Sequence, residues 1–219
     1  MLSNIKSSYF SEIIFSYIYE RKKLKLVKYN KSLQKNINIS IINYKFYSGK
    51  YIIYETNNIG KEYYGSSDIL LYHGEYLNGE RNGKGKAYNY WDGIVCYYGE
   101  YLNGKRNGKG QEYYRDGKLE FEGEYLNDYR NGKGKEYFGN GKLKFEGEYL
   151  NGKRNGKGKE YFENGKLKFE GEYLNGKRNG KGKEYYGDDK LSFEGEYLNG
   201  KRNGKGKEYD GKLLFDMNI

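Results

Sequence analysis

Regular alternation of apolar and polar positions marks most of the chain. The segment LKFEGEYL at residues 143–150 presents every second residue to one side, namely Leu143, Phe145, Gly147 and Tyr149. Because successive side chains of an extended strand point to opposite faces, this pattern predicts a β-strand. A six-residue turn, NGKRNG at 151–156, and a second strand, KGKEYF at 157–162, complete a predicted β-hairpin.

This hairpin is an internal repeat. The segment at 145–162 returns almost unchanged at 169–186, and a glycine that precedes Glu-Tyr recurs at intervals of 25 and then 24 residues. A second glycine always follows the first by 11 residues. The unit is therefore constant inside and variable only at the joint between units. A fixed period of this length is the signature of a repeat architecture.

The recurring glycine and tyrosine are the predicted structural positions of the repeat. Glycine inside a strand weakens it unless something approaches the bare backbone, so we expect an aromatic ring to lie over the glycine. Tyr149 and Tyr161 are the candidates for this ring. The structural positions are Gly74, Tyr76, Gly99, Tyr101, Gly123, Tyr125, Gly147, Tyr149, Gly171, Tyr173, Gly195 and Tyr197.

The joints between units predict tight turns. Asn-Gly or Asp-Gly occupies this place at 92–93, 116–117, 140–141 and 164–165. Asn-Gly is the strongest short hairpin signal, because a type I′ turn needs positive φ at both central residues, so we expect type I′ turns here. A lone hairpin is marginal in water and gains stability by stacking. The predicted fold class is mainly β, an elongated single-layer antiparallel sheet about 65 Å long, with a short N-terminal helical segment.

The repeated residues also carry a family resemblance. The pattern formed by Phe145, Gly147, Glu148, Tyr149, Gly152, Gly156 and Gly158 resembles the MORN repeat, and it covers residues 47 to about 210. Asn155 stands where the family often has His, Tyr149 where it often has Trp, and Asp128-Tyr129 replaces Gly-Lys in one turn. The resemblance implies an elongated single-layer antiparallel sheet and a non-catalytic scaffold, sometimes attached to membranes or cytoskeleton.

Two regions are predicted. Residues 1–45 form a basic head, and residues 46–219 form the repeats, with a degenerate first unit and a truncated C-terminal cap strand. In the first unit Ile52 and Ile53 replace Leu-Asn, which suggests packing against the head. At the other end, DGKLLFD at 210–216 predicts one more strand, after which Met217 stands where a marker glycine would be.

The head is predicted to be helical over residues 5–35. Its apolar residues recur at helical spacing on one face, namely Phe10, Ile13, Ile14, Tyr17 and Ile18. We expect this segment to cap the open edge of the first hairpin. Residues 12–33 also resemble an F-box, through Ile-Phe-Ser-Tyr and Asn-Lys-Ser, although the usual Leu-Pro opening is missing. That resemblance implies docking to a ubiquitin-ligase adaptor.

Charge and composition narrow the classes of function. The net charge is +10, but residues 1–45 hold nine basic and two acidic side chains, so the repeats are nearly balanced. The single Cys96 and the single His73 exclude a disulfide scaffold and a His/Cys zinc site. The sequence contains no stretch of 18 consecutive apolar residues, the length that a helix needs to span a bilayer. We expect a cytoplasmic protein, with peripheral attachment to a membrane as an open alternative.

Residues suited to catalysis are few, and we expect no enzyme activity, cofactor or metal. His73 occupies a slot that later units fill with Glu, and Cys96 and Trp91 are expected to pack. The recurring pair Glu146 and Glu148 lies opposite strands that carry lysines, so cross-strand ion pairing explains these carboxylates better than acid–base catalysis.

Stacking of the units would align the basic residues of the six-residue turns. The resulting ridge contains Arg81, Lys105, Arg106, Arg130, Lys153, Arg154, Lys177, Arg178, Lys201 and Arg202. These are the candidate contacts with protein partners or anionic lipid. Nucleic acid is not the expected partner, because the repeats carry little net charge and no recognition helix. The favoured function is a repeat scaffold for protein–protein interaction by multivalent display, with self-association open; a peripheral membrane tether and a ubiquitin-ligase adaptor are the alternatives.

Overall fold

The computed structural model describes residues 49–65, 67–210 and 212–218 and divides the chain at Gly93 into two compact units. The described part of the N-terminal unit contains four strands: β1 (Lys50–Tyr54), β2 (Ile59–Tyr64), β3 (Ile69–Leu77) and β4 (Glu80–Tyr88). The C-terminal unit contains eleven strands: β5 (Val95–Leu102), β6 (Lys105–Tyr113), β7 (Leu119–Leu126), β8 (Tyr129–Tyr137), β9 (Leu143–Leu150), β10 (Lys153–Tyr161), β11 (Leu167–Leu174), β12 (Lys177–Tyr185), β13 (Leu191–Leu198), β14 (Lys201–Tyr209) and β15 (Leu213–Asn218).

The mainly β fold class is confirmed. Within each unit, every strand pairs antiparallel with the next strand in the chain, so each unit is an open meander of stacked hairpins. The described residues contain no helix, and hence none that could span a membrane. The predicted head helices, the cap role of the head and the F-box-like segment at 12–33 lie outside the described residues.

The turn inside each hairpin is shorter than the predicted six residues. Between β9 and β10 only Asn151 and Gly152 lie outside the strands, and both have positive φ, 49° and 82°. This is the backbone of a type I′ turn, whose twist matches that of the flanking strands. The prediction of a six-residue turn at 151–156 is wrong, because Lys153 already pairs with Leu150 across the hairpin.

The rest of the predicted turn forms a bulge inside β10. The register shifts between Arg154, opposite Tyr149, and Gly158, opposite Gly147, so four steps on one strand face two on the other. Gly156 lies in this bulge with φ of 89°, a conformation that side-chain-bearing residues rarely adopt. The recurring Asn-Gly of this segment therefore builds a bulge.

The joints between hairpins also differ from prediction. At the joint after β10 only Gly165 has positive φ, and its N–H donates to the carbonyl of Phe162 at 2.8 Å. This hydrogen bond closes a type I turn that a left-handed glycine follows. The Asn164 side chain accepts a hydrogen bond from the Lys166 N–H at 2.9 Å. The predicted type I′ turns are thus wrong at the joints and occur instead inside the hairpins.

The marker glycines lie directly opposite one another across each hairpin, as Gly147 and Gly158 do. A Cβ atom on Gly147 would lie 2.7 Å from the Phe145 ring and 2.6 Å from the Lys157 carbonyl oxygen. An aromatic ring therefore does cover bare backbone, but it is the ring of Phe145, which precedes the glycine on the same strand. The prediction of Tyr161 is wrong, because its hydroxyl instead donates to Glu146 at 2.7 Å. Tyr149 does not cover Gly147 itself, but its ring would lie 3.2 Å from a Cβ atom on Gly134, which pairs with Gly147 across the neighbouring strand.

The tyrosine of the repeat links one hairpin to the next. The Tyr149 ring meets Phe145 of its own strand at 5.7 Å and Phe121 of the preceding hairpin at 5.3 Å, both edge-to-face. Such pairs contribute about 0.5–1.5 kcal/mol each beyond burial of their area. The same contacts continue through Tyr173, Phe169 and later rings. These buried rings form the core of the C-terminal unit.

The first and last strands depart from the repeat. In β1 and β2 the register places Gly60 opposite Tyr54, and a four-residue loop replaces the Asn-Gly turn. The glycine pairing resumes one strand later, where Gly60 faces Gly74. At the other end β15 places Met217 opposite Gly206, the place that a marker glycine holds in a complete unit.

Candidate functional site

The arginines of the predicted ridge are held inside the sheet's own network. The guanidinium of Arg154 lies 4.1 Å from the centre of the Phe145 ring and donates two hydrogen bonds to Glu136 of the preceding hairpin, at 3.1 and 2.7 Å. Arg178 repeats this arrangement on Phe169 and Glu160. The same pairing with the preceding hairpin holds for Arg130 and Arg202.

These contacts form an alternating row that we name the arginine–glutamate ladder. Arg178 contacts Glu160 of the preceding hairpin at 3.0 Å and Glu184 of its own hairpin at 2.6 Å, so one guanidinium bridges two units. The ladder of the C-terminal unit consists of Arg106, Glu112, Arg130, Glu136, Arg154, Glu160, Arg178, Glu184, Arg202 and Glu208. It ties neighbouring hairpins together on the face that carries the rings.

The tyrosine hydroxyls compete with arginine for these carboxylates. Tyr149 donates to Glu136 at 2.6 Å, and Arg130 of the same hairpin as that glutamate stays 4.0 Å away. By contrast, two arginines bind Glu112, and the hydroxyl of Tyr125 is buried beside that carboxylate without a hydrogen bond of good geometry. Glu184 and Tyr197 repeat the second pattern; these two hydroxyls are the buried side-chain polar atoms that lack a partner among the described residues.

Ionisation of the ladder follows from these bonds. Burial disfavours the charged form of Glu160, but hydrogen bonds from Arg178 and Tyr173 outweigh it and hold the pKa of that carboxyl below its usual value. The same balance of burial against Arg154 and Tyr149 lowers the pKa of Glu136. Burial and the neighbouring carboxylate raise the pKa of Tyr173. Glu136 and Glu160 therefore stay charged, and Tyr173 stays neutral, at physiological pH.

The lysines of the ridge lie differently from the arginines. Lys105, Lys153, Lys177 and Lys201 are exposed at the starts of their strands, and no ion pair in the described part of the chain involves them. Side-chain exposure of the arginines is only 17% for Arg178 and 20% for Arg154. The structure thus brings the ridge residues of the C-terminal unit to one edge but leaves their lysines, and not their arginines, open to solvent. Arg81 lies in the N-terminal unit, where it pairs with Glu62 at 3.0 Å.

A column of exposed leucines is the feature that the sequence predictions missed. Each lies opposite the first residue of the following strand, across the Asn-Gly or Asn-Asp turn, and each is about half exposed. The leucine column consists of Leu102, Leu126, Leu150, Leu174 and Leu198, with exposures of 49–51%. The sequence pattern could have predicted this column, because alternation places Leu150 on the face opposite Phe145 and Tyr149, where it does not join the core.

The charged pairs on that opposite face are partly as predicted. Lys159 faces Glu146 in the register, but its ammonium group lies 3.7 Å from Glu170 of the next hairpin. Lys183 repeats this contact with Glu194 at 3.5 Å. Cross-strand ion pairing therefore accounts for these glutamates between hairpins, while Glu146 accepts the Tyr161 hydroxyl within its own.

The residue types that occur once in the sequence, His, Cys and Trp, form no common site in the described part of the chain. His73 lies 3.0 Å from Glu55 in the N-terminal unit, where that carboxylate also pairs with Lys61. Trp91 is 84% exposed, so the expectation that it packs is wrong; it contacts only the edge of the Tyr90 ring among the aromatic residues described. The described residues hold no cluster of His, Cys, Asp and Glu that could bind a metal ion.

Comparison with solved structures finds, among others, two structures that are distantly similar to this chain. A mutant of S. aureus TarM in complex with fondaparinux, alpha-GlcNAc-glycerol and UDP matches with a TM-score of 0.35 and 13% identity over 67% of this chain and 26% of that one. A second TarM structure matches with a TM-score of 0.33 and 12% identity, over 66% and 26%. The chain spans about a quarter of the length of these proteins, and a likeness this weak carries no argument. Comparison with curated protein sequences finds no match.

Comparison with family models is decisive. The model described as "MORN repeat" matches six times, at residues 72–88, 97–118, 121–142, 145–166, 169–190 and 193–212, which together make up more than half of the chain. The matches begin at the third strand, so the degenerate first unit lies outside them, and they give no support to an F-box at 12–33. The six hairpins, with their paired glycines and covering rings, are the structural form of this repeat, and the chain belongs to the MORN repeat family.

Proposed function

We propose that this protein is a non-catalytic scaffold that binds other proteins through repeated sites on its sheet. The leucine column carries the proposal. Five large apolar side chains, each half exposed, occupy the same position in five successive hairpins. Exposed apolar side chains that recur in one row are typical of an interaction surface, whereas scattered ones need no explanation.

The surface under the column is rigid. The Gly152 N–H donates to the Arg130 carbonyl of the preceding hairpin at 2.9 Å, and Gly176 repeats this bond to Arg154 at 2.8 Å. Each turn is therefore fixed to its neighbour, and the leucines keep a constant spacing. Weak contacts at evenly spaced sites add through effective concentration, which is the basis of multivalent binding.

The charged groups of the repeat favour a structural role over chemistry. Arg154 and Glu136 bind one another and pack on a ring, and each later unit repeats the arrangement. An active site needs groups that depart from such a repeated role and converge on one point. This supports a protein whose function lies in binding.

Affinity purification with quantitative mass spectrometry tests the scaffold. A triple variant with Leu126, Leu150 and Leu174 changed to serine is compared with the wild type, and a variant with Lys118, Lys142 and Lys166 changed to serine, at the opposite edge, is the control. We expect the leucine variant to lose most of its co-purifying proteins and the control to keep them. A leucine variant that folds by circular dichroism and keeps the wild-type partners would overturn the proposal.

A peripheral membrane tether is the second candidate, and the exposed lysines support it. Lys105, Lys153, Lys177 and Lys201 lie at one edge, where each well-placed cation contributes about 1 kcal/mol to binding of anionic lipid before screening. Sedimentation with anionic vesicles across a salt series tests this role. Binding that weakens with salt and disappears when these four lysines are changed to glutamate supports the tether; binding unaffected by either change refutes it.

A further inference from the structure

We infer that the leucine column receives an amphipathic α-helix with acidic residues beside its apolar stripe. This inference rests on the proposed scaffold function and names the class of partner. Two strands separate successive leucines, so their spacing is about 9.6 Å. An α-helix advances about 10.5 Å in seven residues and then presents the same face again, so one apolar residue per heptad follows the column.

Extended peptides fit this surface less well. A β-strand presents the same face every 6.8 Å or so, out of step with the leucines. A polyproline II segment matches the spacing of the leucines more closely than a helix does, with a repeat of about 9.3 Å, but its backbone groups make no internal hydrogen bonds. The leucine-bearing strands β7, β9, β11 and β13 pair with a strand on each side and so offer it no backbone partners. A helix satisfies its own backbone, which suits a surface made of side chains.

The lysines beside the leucine column indicate which side chains should flank the apolar stripe of the helix. Lys153 is the direct cross-strand neighbour of Leu150, and Lys177 is that of Leu174, so the two side chains of each pair lie on the same face. These lysines are exposed and, within the described residues, form no ion pair. The turn edge of this face, where leucine and lysine lie, is therefore apolar and basic, and acidic side chains beside the apolar stripe of a helix complement it. The exposed Glu148, two residues before Leu150 on the same face, lies further from the turn, beside Gly156 of the bulge.

The same charge argues against two other occupants. A second copy of the chain would bring its own lysine-flanked column against this one, and like charges would face each other across the interface. Residues 1–45 of this chain carry nine basic and only two acidic side chains, so they are repelled as well. The surface thus fits an acidic partner from outside the chain.

Binding of defined peptides to the full-length protein tests the inference. The probe is an acidic peptide of about 30 residues with leucine once per heptad and glutamate beside it, long enough to span five leucines. A scrambled peptide of the same composition and a proline-rich peptide with leucine at every third residue are compared. We expect the heptad peptide to bind at least tenfold more tightly than either and to become more helical by circular dichroism. Equal binding of the scrambled peptide, or tighter binding of the proline-rich one, would overturn the inference.

Matched charge variants locate the site. Changing Lys153 and Lys177 to glutamate should weaken binding of the heptad peptide at least tenfold, while the same change at Lys142 and Lys166, on the opposite edge, should weaken it less than threefold. If the two pairs of substitutions weaken binding equally, the lysines act only through long-range attraction of the acidic peptide, and the proposed site is refuted. Binding of anionic vesicles but not of the heptad peptide would favour the tether over a helix.

The outcomes for the two proposals remain separable. If the heptad peptide fails to bind while the leucine-to-serine variant still loses its co-purifying proteins, the helix is wrong and the scaffold stands. If that variant keeps all its partners, the scaffold function itself fails.

Discussion

The space around some positions of this sheet determines which residue they can hold. Gly147 and Gly158 face each other under the Phe145 ring, and a Cβ atom on Gly147 would meet a carbonyl oxygen at 2.6 Å. No flexible group can move aside there, because the nearest atoms belong to the backbone and a buried ring. The repeated glycine is thus required by packing.

Gly147→Ala should lower the free energy of unfolding by about 1–3 kcal/mol, the usual cost of overpacking a core. Gly139→Ala is the matched control, since no atom lies within 4 Å of the added Cβ atom and its φ is not in the left-handed region. Urea unfolding of the two variants checks this. A Gly147→Ala protein as stable as Gly139→Ala would contradict the placement of the ring.

The tyrosines of the core should differ although their sequence context is the same. Tyr149→Phe removes a hydrogen bond to the charged Glu136 and should cost about 1 kcal/mol or more. Tyr125→Phe removes a buried hydroxyl that makes no hydrogen bond of good geometry to Glu112, so its cost should be smaller than that of Tyr149→Phe. Thermal unfolding of both variants measures the difference, and equal losses would show that Glu112 and Glu136 are not in different states.

Hairpins differ from the predicted ones because the three Asn-Gly sequences of the unit at 145–168 take three different roles. Asn151-Gly152 forms the type I′ turn, Asn155-Gly156 forms the bulge, and Asn164-Gly165 ends a type I turn. Local sequence offers positive φ at all three places. Which of them reverses the chain depends on the pairing of Gly147 with Gly158, which fixes the number of residues between them.

The joint between β12 and β13 allows the turn assigned to these joints to be tested. Asp189 has φ of 69° at the place where Gly165 has 92° in the preceding joint. Because side-chain-bearing residues are strained there, Asp189→Gly should stabilise the protein by about 0.5–1 kcal/mol, and its exposed ion pair with Lys166 adds little. Gly165→Asp should destabilise it by a similar amount. Urea unfolding measures the midpoint of each variant relative to the wild type. If both midpoints shift in the same direction, the assigned turn is refuted.

Whole-molecule stability should depend on pH through the arginine–glutamate ladder. The folded-state pKa values of Glu136 and Glu160 in the ladder lie below the ordinary value of 4.5, as does that of Glu62, which pairs with Arg81 in the N-terminal unit. A lowered pKa means that the unfolded chain binds more protons in acid, so this stability is present above about pH 4.5 and is lost as pH falls below it. We expect the free energy of unfolding to drop steeply in that range.

Glu160→Gln provides the decisive comparison. It should be less stable than the wild type at pH 7, and the two curves should converge in acid, where the wild-type carboxyl is also neutral. Glu163→Gln, at an exposed joint position, should follow the wild type throughout. Urea unfolding between about pH 7 and pH 3.5 measures these curves. A constant gap between wild type and Glu160→Gln at all pH values would exclude the ion pair as the cause.

The sequence by itself determined the repeat, the strands and the family, because period-two alternation and the constant 11-residue glycine spacing are local and occur six times over. Only the tertiary structure decided the partners of the charged and apolar side chains. Arg154 reaches Glu136, 18 residues back, in preference to Glu160, six residues ahead, and the periodic sequence permits both. Alternation places Leu150 on the face opposite the rings, but only the structure shows that no side chain of the described residues buries it there and that it stays half exposed.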